Sequence, residues 1–274
     1  MVRQYYVPQI TDISEQELQS ILRVANPPVC LLGGWAVHLH VNKGFQTEHG
    51  REYIGSRDID LGIHINTDQT SEEIGESSIG ETLEAIEELG YSRSRFGFVQ
   101  AFHRDDNQRL TEEEAREHPQ HQLFEVYIDL IPDTTELTQF HDAFGFTPPA
   151  EPLLKPVFEN DAGIPLQQYV SWSIPDTVQI VPPELLAAMK IRSLPDRDKS
   201  HKRVKDVADL HALLWYTKPY NEIREQIQKY VSSDDIQAVE NAVTRDQNSV
   251  FDDAGTLLQI DPDTIRASIT RLFQ

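Results

Sequence analysis

Two aspartates one residue apart, Asp58 and Asp60, are the side chains of this sequence best placed to do chemistry. They stand in Asp58-Ile59-Asp60-Leu61-Gly62-Ile63-His64-Ile65, whose polar–apolar alternation predicts a strand. Positions i and i+2 of a strand point to one side, so Asp58, Asp60, Gly62 and His64 share a face, while Ile59, Leu61, Ile63 and Ile65 share the face that packs inward. Carboxylates so spaced have α-carbons about 6.6 Å apart and can converge on one hard cation or bracket two. A solvated strand face is the plainer reading of an isolated Asp-x-Asp. His64 shares the acidic face and is read as a bystander.

A second run, Leu123 to Ile131, repeats the pattern. Val126, Ile128 and Leu130 form its apolar face, and Glu125, Tyr127 and Asp129 the other. Asp129 is flanked by Ile128 and Leu130, where an acid is costly unless paired or bound to metal. If the two strands pair, Asp129 completes a three-carboxylate cluster; the alternative is an edge strand with one wet face.

Other residues suit a triphosphate. Gly33 and Gly34 lie between the expected strand Val29–Leu32 and a helix starting near Trp35. Glycines let the backbone approach an anion, and a helix start offers free N–H groups, although many turns use glycine for other reasons. Ser56 and Arg57, just before Asp58, add a hydroxyl and a guanidinium; Arg57 would equally serve as a surface partner for nearby acids. From Lys190 to Lys205 there are seven basic and two acidic residues, a local reversal in a chain of net charge −21. Such a run is a footprint for nucleotide phosphates or an RNA backbone, or else a solvated helix end. Lys190 ends the apolar stretch Leu185–Met189, and its ammonium would act on a phosphate as a point charge. Asp206 and Asp209, spaced i, i+3, both favour a helix N-terminus, or one of them orients Lys190 or accepts a proton. The paired histidines, His38 with His40 and His118 with His121, lack further ligands at zinc-like spacing, and the lone Cys30 excludes thiolate sites and an internal disulfide framework. Neither a serine elbow nor a Walker-type loop is present.

The elements that would position these groups follow from periodicity. Ser14-Glu15-Gln16-Glu17 reads as a capping box opening a helix with Leu18, Ile21, Leu22 and Ala25 on one face, ended by Asn26-Pro27-Pro28. Residues 81–89 read as a helix, 91–103 as a strand or hairpin arm and 104–120 as an exposed, charged insertion. Residues 146–183 hold eight of the 16 prolines. Beyond Pro183 the pattern is helical, with breaks near Ser193–Pro195, Lys218-Pro219 and Asp261-Pro262. The expected fold class is α/β (α+β): a catalytic core over 1–147 with a small mixed sheet flanked by helices, a proline-rich linker or extended segment over 148–183, and a helical domain over 184–274 contributing Lys190 and Asp206 to the cleft.

At 274 residues the chain can bury a core without staples. No apolar run approaches the ~20 residues of a membrane span, and the first ten residues hold no apolar signal core, so a cytoplasmic protein is expected. With 45 acidic residues, 16 arginines and only eight lysines, the surface suits a cytoplasm of molar salt, and a halophilic source is expected. The same charge disfavours non-specific nucleic-acid binding outside a local basic patch.

Three pieces in this order, LLGGWAVHLH, GSRDIDLGI and the strand acid of VYIDLI, resemble the nucleotidyltransferase superfamily related to DNA polymerase β. The downstream run PPELLAAMKIRSLPDRDKSHKRVKDVADLHAL is similar to the abortive-infection nucleotidyltransferase toxins of type IV toxin–antitoxin systems, with Lys205 where the family's Arg-Asp-x-x-Asp-Leu-like element has arginine. The resemblance spans roughly Val29 to Leu214; residues 215–274 and the 104–120 insertion match nothing. It implies Mg²⁺, with Mn²⁺ as the other candidate, on Asp58 and Asp60, with Asp129 helping to bind the metal or taking the acceptor proton. Gly33, Gly34, Ser56, Arg57 and Lys190 would bind the nucleotide, and Asp206 would orient Lys190 or aid deprotonation. The implied reaction moves a nucleoside monophosphate from an NTP to an acceptor hydroxyl, releasing pyrophosphate, with tRNA as the expected acceptor and a cognate antitoxin as partner. Transfer to an aminoglycoside-like small molecule or a protein side chain, and a non-catalytic nucleotide-binding module, are the alternatives.

Overall fold

The computed structural model describes residues 5–245 and 249–274. The chain forms two compact units: Pro8–Trp35 with Gly55–Val181, and Ala36–Ile54 with Pro182–Gln274 and the chain's start up to Val7.

The first unit is built on a mixed sheet. Its elements are α1 (Pro8–Val24), β1 (Val29–Leu32), the start of α2 (Gly33–His49), β2 (Ile59–Ile63), α3 (Ser71–Gly75), α4 (Ser78–Glu88), β3 (Ser92–Arg93), β4 (Gly97–His103), β5 (Arg109–Leu110), α5 (Glu112–Glu117), β6 (Leu123–Pro132), α6 (Thr138–Phe144), α7 (Lys155–Glu159), β7 (Ile164–Pro165) and β8 (Gln179–Ile180). The strands run β3-β4-β6-β2-β1-β8-β7, with β5 on β4. Pairings β2–β6 and β1–β8 are parallel and the others antiparallel. β1 is buried at every position, as its Val-Cys-Leu-Leu sequence requires of an inner strand. β6 alternates along its length, with Val126, Ile128 and Leu130 fully buried, as the sequence predicts.

Three expectations change. The first helix opens at Pro8, not Ser14, with proline at the position where its missing N–H is not needed. Ser14 is instead fully buried inside α1: its hydroxyl accepts the Trp35 indole N–H at 3.0 Å and donates to the Arg57 carbonyl at 3.0 Å. Second, the proline-rich stretch, expected as a linker or extended segment, contributes to the sheet. It carries α7, β7 and β8, and β8 pairs with β1 inside the sheet. Pro165 is tolerated because β7 is an edge strand, where the absent N–H breaks no inner ladder. Third, residues 36–54 group with the C-terminal helices. The 104–120 insertion has structure of its own, a strand and a helix capped by the Thr111–Glu114 box, and α5 buries nothing.

The second unit holds α2 from Ala36 onward, α8 (Pro183–Ser193), α9 (Ser200–Tyr216), α10 (Tyr220–Ile227), α11 (Ser233–Arg245), α12 (Ser249–Leu258) and α13 (Pro262–Thr270), with interruptions where the sequence predicts them. α9 is central and touches α8, α10, α12 and α13. Every residue from Val204 to Leu214 is buried, charged ones included. His211 meets the Ser268 hydroxyl at 2.6 Å, and burial pushes its pKa down to about 4. No helix among the described residues is long and apolar enough to cross a membrane.

Ser14→Ala removes two buried hydrogen bonds and is expected to cost about 1–3 kcal/mol, read by denaturant unfolding. His211 has a folded pKa below its unfolded one, so its contribution is complete above the unfolded value near 6.5 and is lost as pH falls towards about 4. Acid unfolding of the parent should steepen across that window, and His211→Gln should flatten it.

Candidate active site

The parallel pairing of β2 with β6 sets Asp60 directly opposite Asp129, side by side at the sheet spacing of about 4.8 Å between α-carbons. Both are half-buried, as is Asp58, one residue before β2 begins. The two strands thus bring the three predicted carboxylates into one region of the sheet unit. Gly97 of β4 stands opposite Asp129 on the far side. A β-carbon at Gly97 would overlap the Ile128 carbonyl, so glycine lets β4 close on β6.

The loop leading to Asp58 is held from two directions. Ser14 of α1 grips the Arg57 carbonyl, while Arg57 Nε donates to the Glu125 carbonyl at 2.8 Å and the guanidinium lies 5.9 Å from the Tyr127 ring. Arg57 therefore braces β6, a structural task in addition to the phosphate contact expected of it. Tyr127 hydrogen-bonds Glu125, and burial, then that acid, pushes its pKa up to about 12. Ser56 is buried at 8% exposure, beside Gly55, whose α-carbon packs under Thr11 and Trp35.

Gly33 is where glycine is required. Its φ is +67°, and a β-carbon there would lie 2.6 Å from Asp60 Cγ. Asp60 is opposite Leu32 in the β1–β2 ladder, so the strand-to-helix bend brings the first residue of α2 against its carboxylate. Backbone amides at such a helix start favour anions. The donor set, carboxylate oxygens in register at half-exposed positions, fits a hard divalent cation.

Lys190, Asp206 and Asp209 come together within the helical unit. Lys190 Nζ lies 2.5 Å from Asp206 Oδ1 and 2.9 Å from Asp209 Oδ2, and Arg197 Nε lies 2.6 Å from Asp206 Oδ2. Lys205 Nζ reaches Asp209 Oδ1 at 2.5 Å, and Tyr53 donates its hydroxyl to the same oxygen at 2.9 Å. Burial disfavours the Lys190 ammonium, but Asp206 and Asp209 outweigh it and raise its pKa above the ordinary lysine value. Burial likewise opposes the Asp209 carboxylate, and Lys190 and Lys205 overcome it and lower its pKa. For Lys205 burial prevails and its pKa falls; burial, then Asp209, raises that of Tyr53. The basic run is thus not one surface patch: Lys190, Arg197 and Lys205 are bound to Asp206 and Asp209, and the exposed cations are Arg192 and Lys199. Counting charges along the chain cannot see this folding-in.

Sequence reasoning missed Tyr53, whose isolated position offers no signal, and Asp133. His64 does not join the aspartates: it lies beyond the end of β2, against Asp133.

The family comparison defines the class of the chain as a whole, that of a nucleotidyltransferase. Residues 54–267 match the profile described as nucleotidyl transferase AbiEii toxin, type IV toxin–antitoxin system, and the chain belongs to that family. The family implies an NTP substrate and a cognate antitoxin. No curated protein matches the chain. Among solved structures it is similar to an antigenic nucleotidyltransferase-like protein from Paracoccidioides brasiliensis, at 16% identity and a TM-score of 0.37, over 92% of this chain and 93% of that one.

Gly33→Ala should strain the backbone by about 1–2 kcal/mol and displace the Asp60 carboxylate. Transfer activity is expected to fall about a hundredfold, the scale of a 1 Å misplacement, with the melting temperature only modestly lowered.

Proposed function

We propose that the protein transfers a nucleoside monophosphate from an NTP to an acceptor hydroxyl on tRNA, as a growth-restricting toxin, with Asp58, Asp60 and Asp129 as the acidic centre. The in-register apposition of Asp60 and Asp129 beside Gly33 carries this reading. These three carboxylates would hold Mg²⁺ or Mn²⁺, which when bound would neutralise charge on the triphosphate. Gly33 and Gly34 would donate backbone N–H groups to phosphate oxygens, with Ser56 and Arg57 adding polar contacts. Asp129 would also accept the proton of the acceptor hydroxyl. That oxygen bonds to the α-phosphorus as the bond to the bridging oxygen of the β-phosphate breaks, and pyrophosphate leaves. Lys190 would stabilise the triphosphate, and its ion pairs to Asp206 and Asp209 support a role for Asp206 in keeping it charged and oriented.

Arg192 and Lys199 supply exposed positive charge for a polyanionic acceptor. The net charge of −21 favours a second reading, a small cationic acceptor of aminoglycoside type. The same composition suits work in molar salt in a cytoplasm, so the assay belongs there.

Each labelled NTP is incubated with protein, Mg²⁺ and either total tRNA or an aminoglycoside. Label on tRNA is expected, and label only on the small molecule or on protein overturns the acceptor assignment. Asp58→Asn with Asp60→Asn should cut transfer roughly a thousandfold or more while circular dichroism stays unchanged. Full activity in that variant overturns the centre itself.

A further inference from the structure

About 13 Å along β2 from Asp60, by strand rise, a second group of metal-ligating side chains gathers at the other end of the same strand pair. His64 follows β2, Asp133 follows β6 and Glu159 closes α7. One candidate ligand atom from each lies within 4.8 Å of the others. We propose that His64, Asp133 and Glu159 form a divalent transition-metal site of the zinc class, separate from the catalytic carboxylates.

Asp133 is the anchor. Its side chain is 1% exposed, a position where a carboxylate needs strong compensation. Its Oδ1 accepts the Ile65 N–H at 3.1 Å, and its own N–H donates to the Ile63 carbonyl at 3.1 Å, so the backbone of both strand ends fixes its orientation. Its Oδ2 meets His64 Nδ1 at 2.6 Å. That hydrogen bond fixes the imidazole against the buried carboxylate. A divalent ion would take the place of the proton shared there. Lys155, at the start of α7, is the nearby cation opposing it. Glu159 is exposed, and its side chain needs to swing in only slightly to reach the roughly 3 Å donor separation that bonds of about 2.0–2.2 Å demand.

Chemistry selects the ion. One imidazole and two carboxylates bring two negative charges and a mixed N/O donor set, which suits Zn²⁺, Mn²⁺, Fe²⁺ or Co²⁺ better than Mg²⁺. Three protein donors leave open positions for water or a ligand. Phe158, whose ring lies 5.7 Å from that of His64, also lines a cavity of 310 Å³ with Val157, Thr177 and Gln179.

The probe is Zn²⁺ itself, titrated calorimetrically into metal-stripped full-length protein carrying Asp58→Asn and Asp60→Asn, so that the catalytic acids do not compete. One Zn²⁺ per chain is expected, with Co²⁺ giving visible d–d absorption. Adding His64→Gln or Glu159→Gln should each weaken Zn²⁺ binding tenfold or more and abolish the Zn²⁺-dependent rise in melting temperature. Absence of binding in the double-Asn protein, or undiminished binding after His64→Gln, overturns the site and leaves a simple His–Asp ion pair. Should His64→Gln fail to fold, exposed Glu159→Gln decides alone, and unchanged affinity overturns the proposal. None of these outcomes depends on nucleotidyl transfer.

Discussion

The register of β2 against β6 is the constraint on which the rest of the molecule depends. Their buried faces, Ile59 and Leu61 against Ile128 and Leu130, are all fully excluded from water. A slip of one residue would turn those faces out and drive both aspartates into the core. Hydrophobic burial therefore enforces a pairing that electrostatics alone resists, because opposed carboxylates repel. The apolar side of the sheet holds the acids together on its half-exposed side. Gly33 serves the same geometry by leaving room for the Asp60 carboxylate, and Gly97 by letting the backbone of β4 close on β6.

The helical unit solves a different problem. Lys190, Lys205, Asp206 and Asp209 lie on two helices, and the last three are buried. Isolated, any one of them would be expensive there, yet each faces an opposite charge. Such a network stabilises little by itself, but it fixes which protonation states coexist. Lys190 stays cationic because two carboxylates surround it, and Tyr53 adds a hydrogen bond to Asp209 Oδ1. The belonging of this chain to the AbiEii family gives the arrangement a chemical context, since nucleotidyl transfer handles a polyanion.

Much of the sheet was legible because alternation along 58–65 and 123–131 reports which face is buried before any partner is known. The C-terminal helices were legible for a similar reason, with prolines marking their breaks. What escaped was decided by tertiary partners. Ser14-Glu15-Gln16-Glu17 has the letters of a capping box, yet Ser14 is consumed by Trp35 and Arg57, 21 and 43 residues away. β8 is two residues long and leaves no periodic trace, and its place beside β1 follows from pairing alone. The basic run 190–205 looked uniform because sequence spacing shows charge but not which cations turn inward. Asp133, after a strand ending in Pro132, reads locally as turn chemistry; only the fold brings His64 to it.

The sheet ends in fragments. At one border stands Ile164–Pro165 and at the other Ser92–Arg93, with Arg109–Leu110 as a side branch, each two residues long. One of these carries an imino acid that cannot donate, and the others carry arginine. An extended peptide seeking to prolong the sheet would find almost no ladder to join. A partner chain meeting this sheet at its described borders would have to bind mainly through side chains and surface shape.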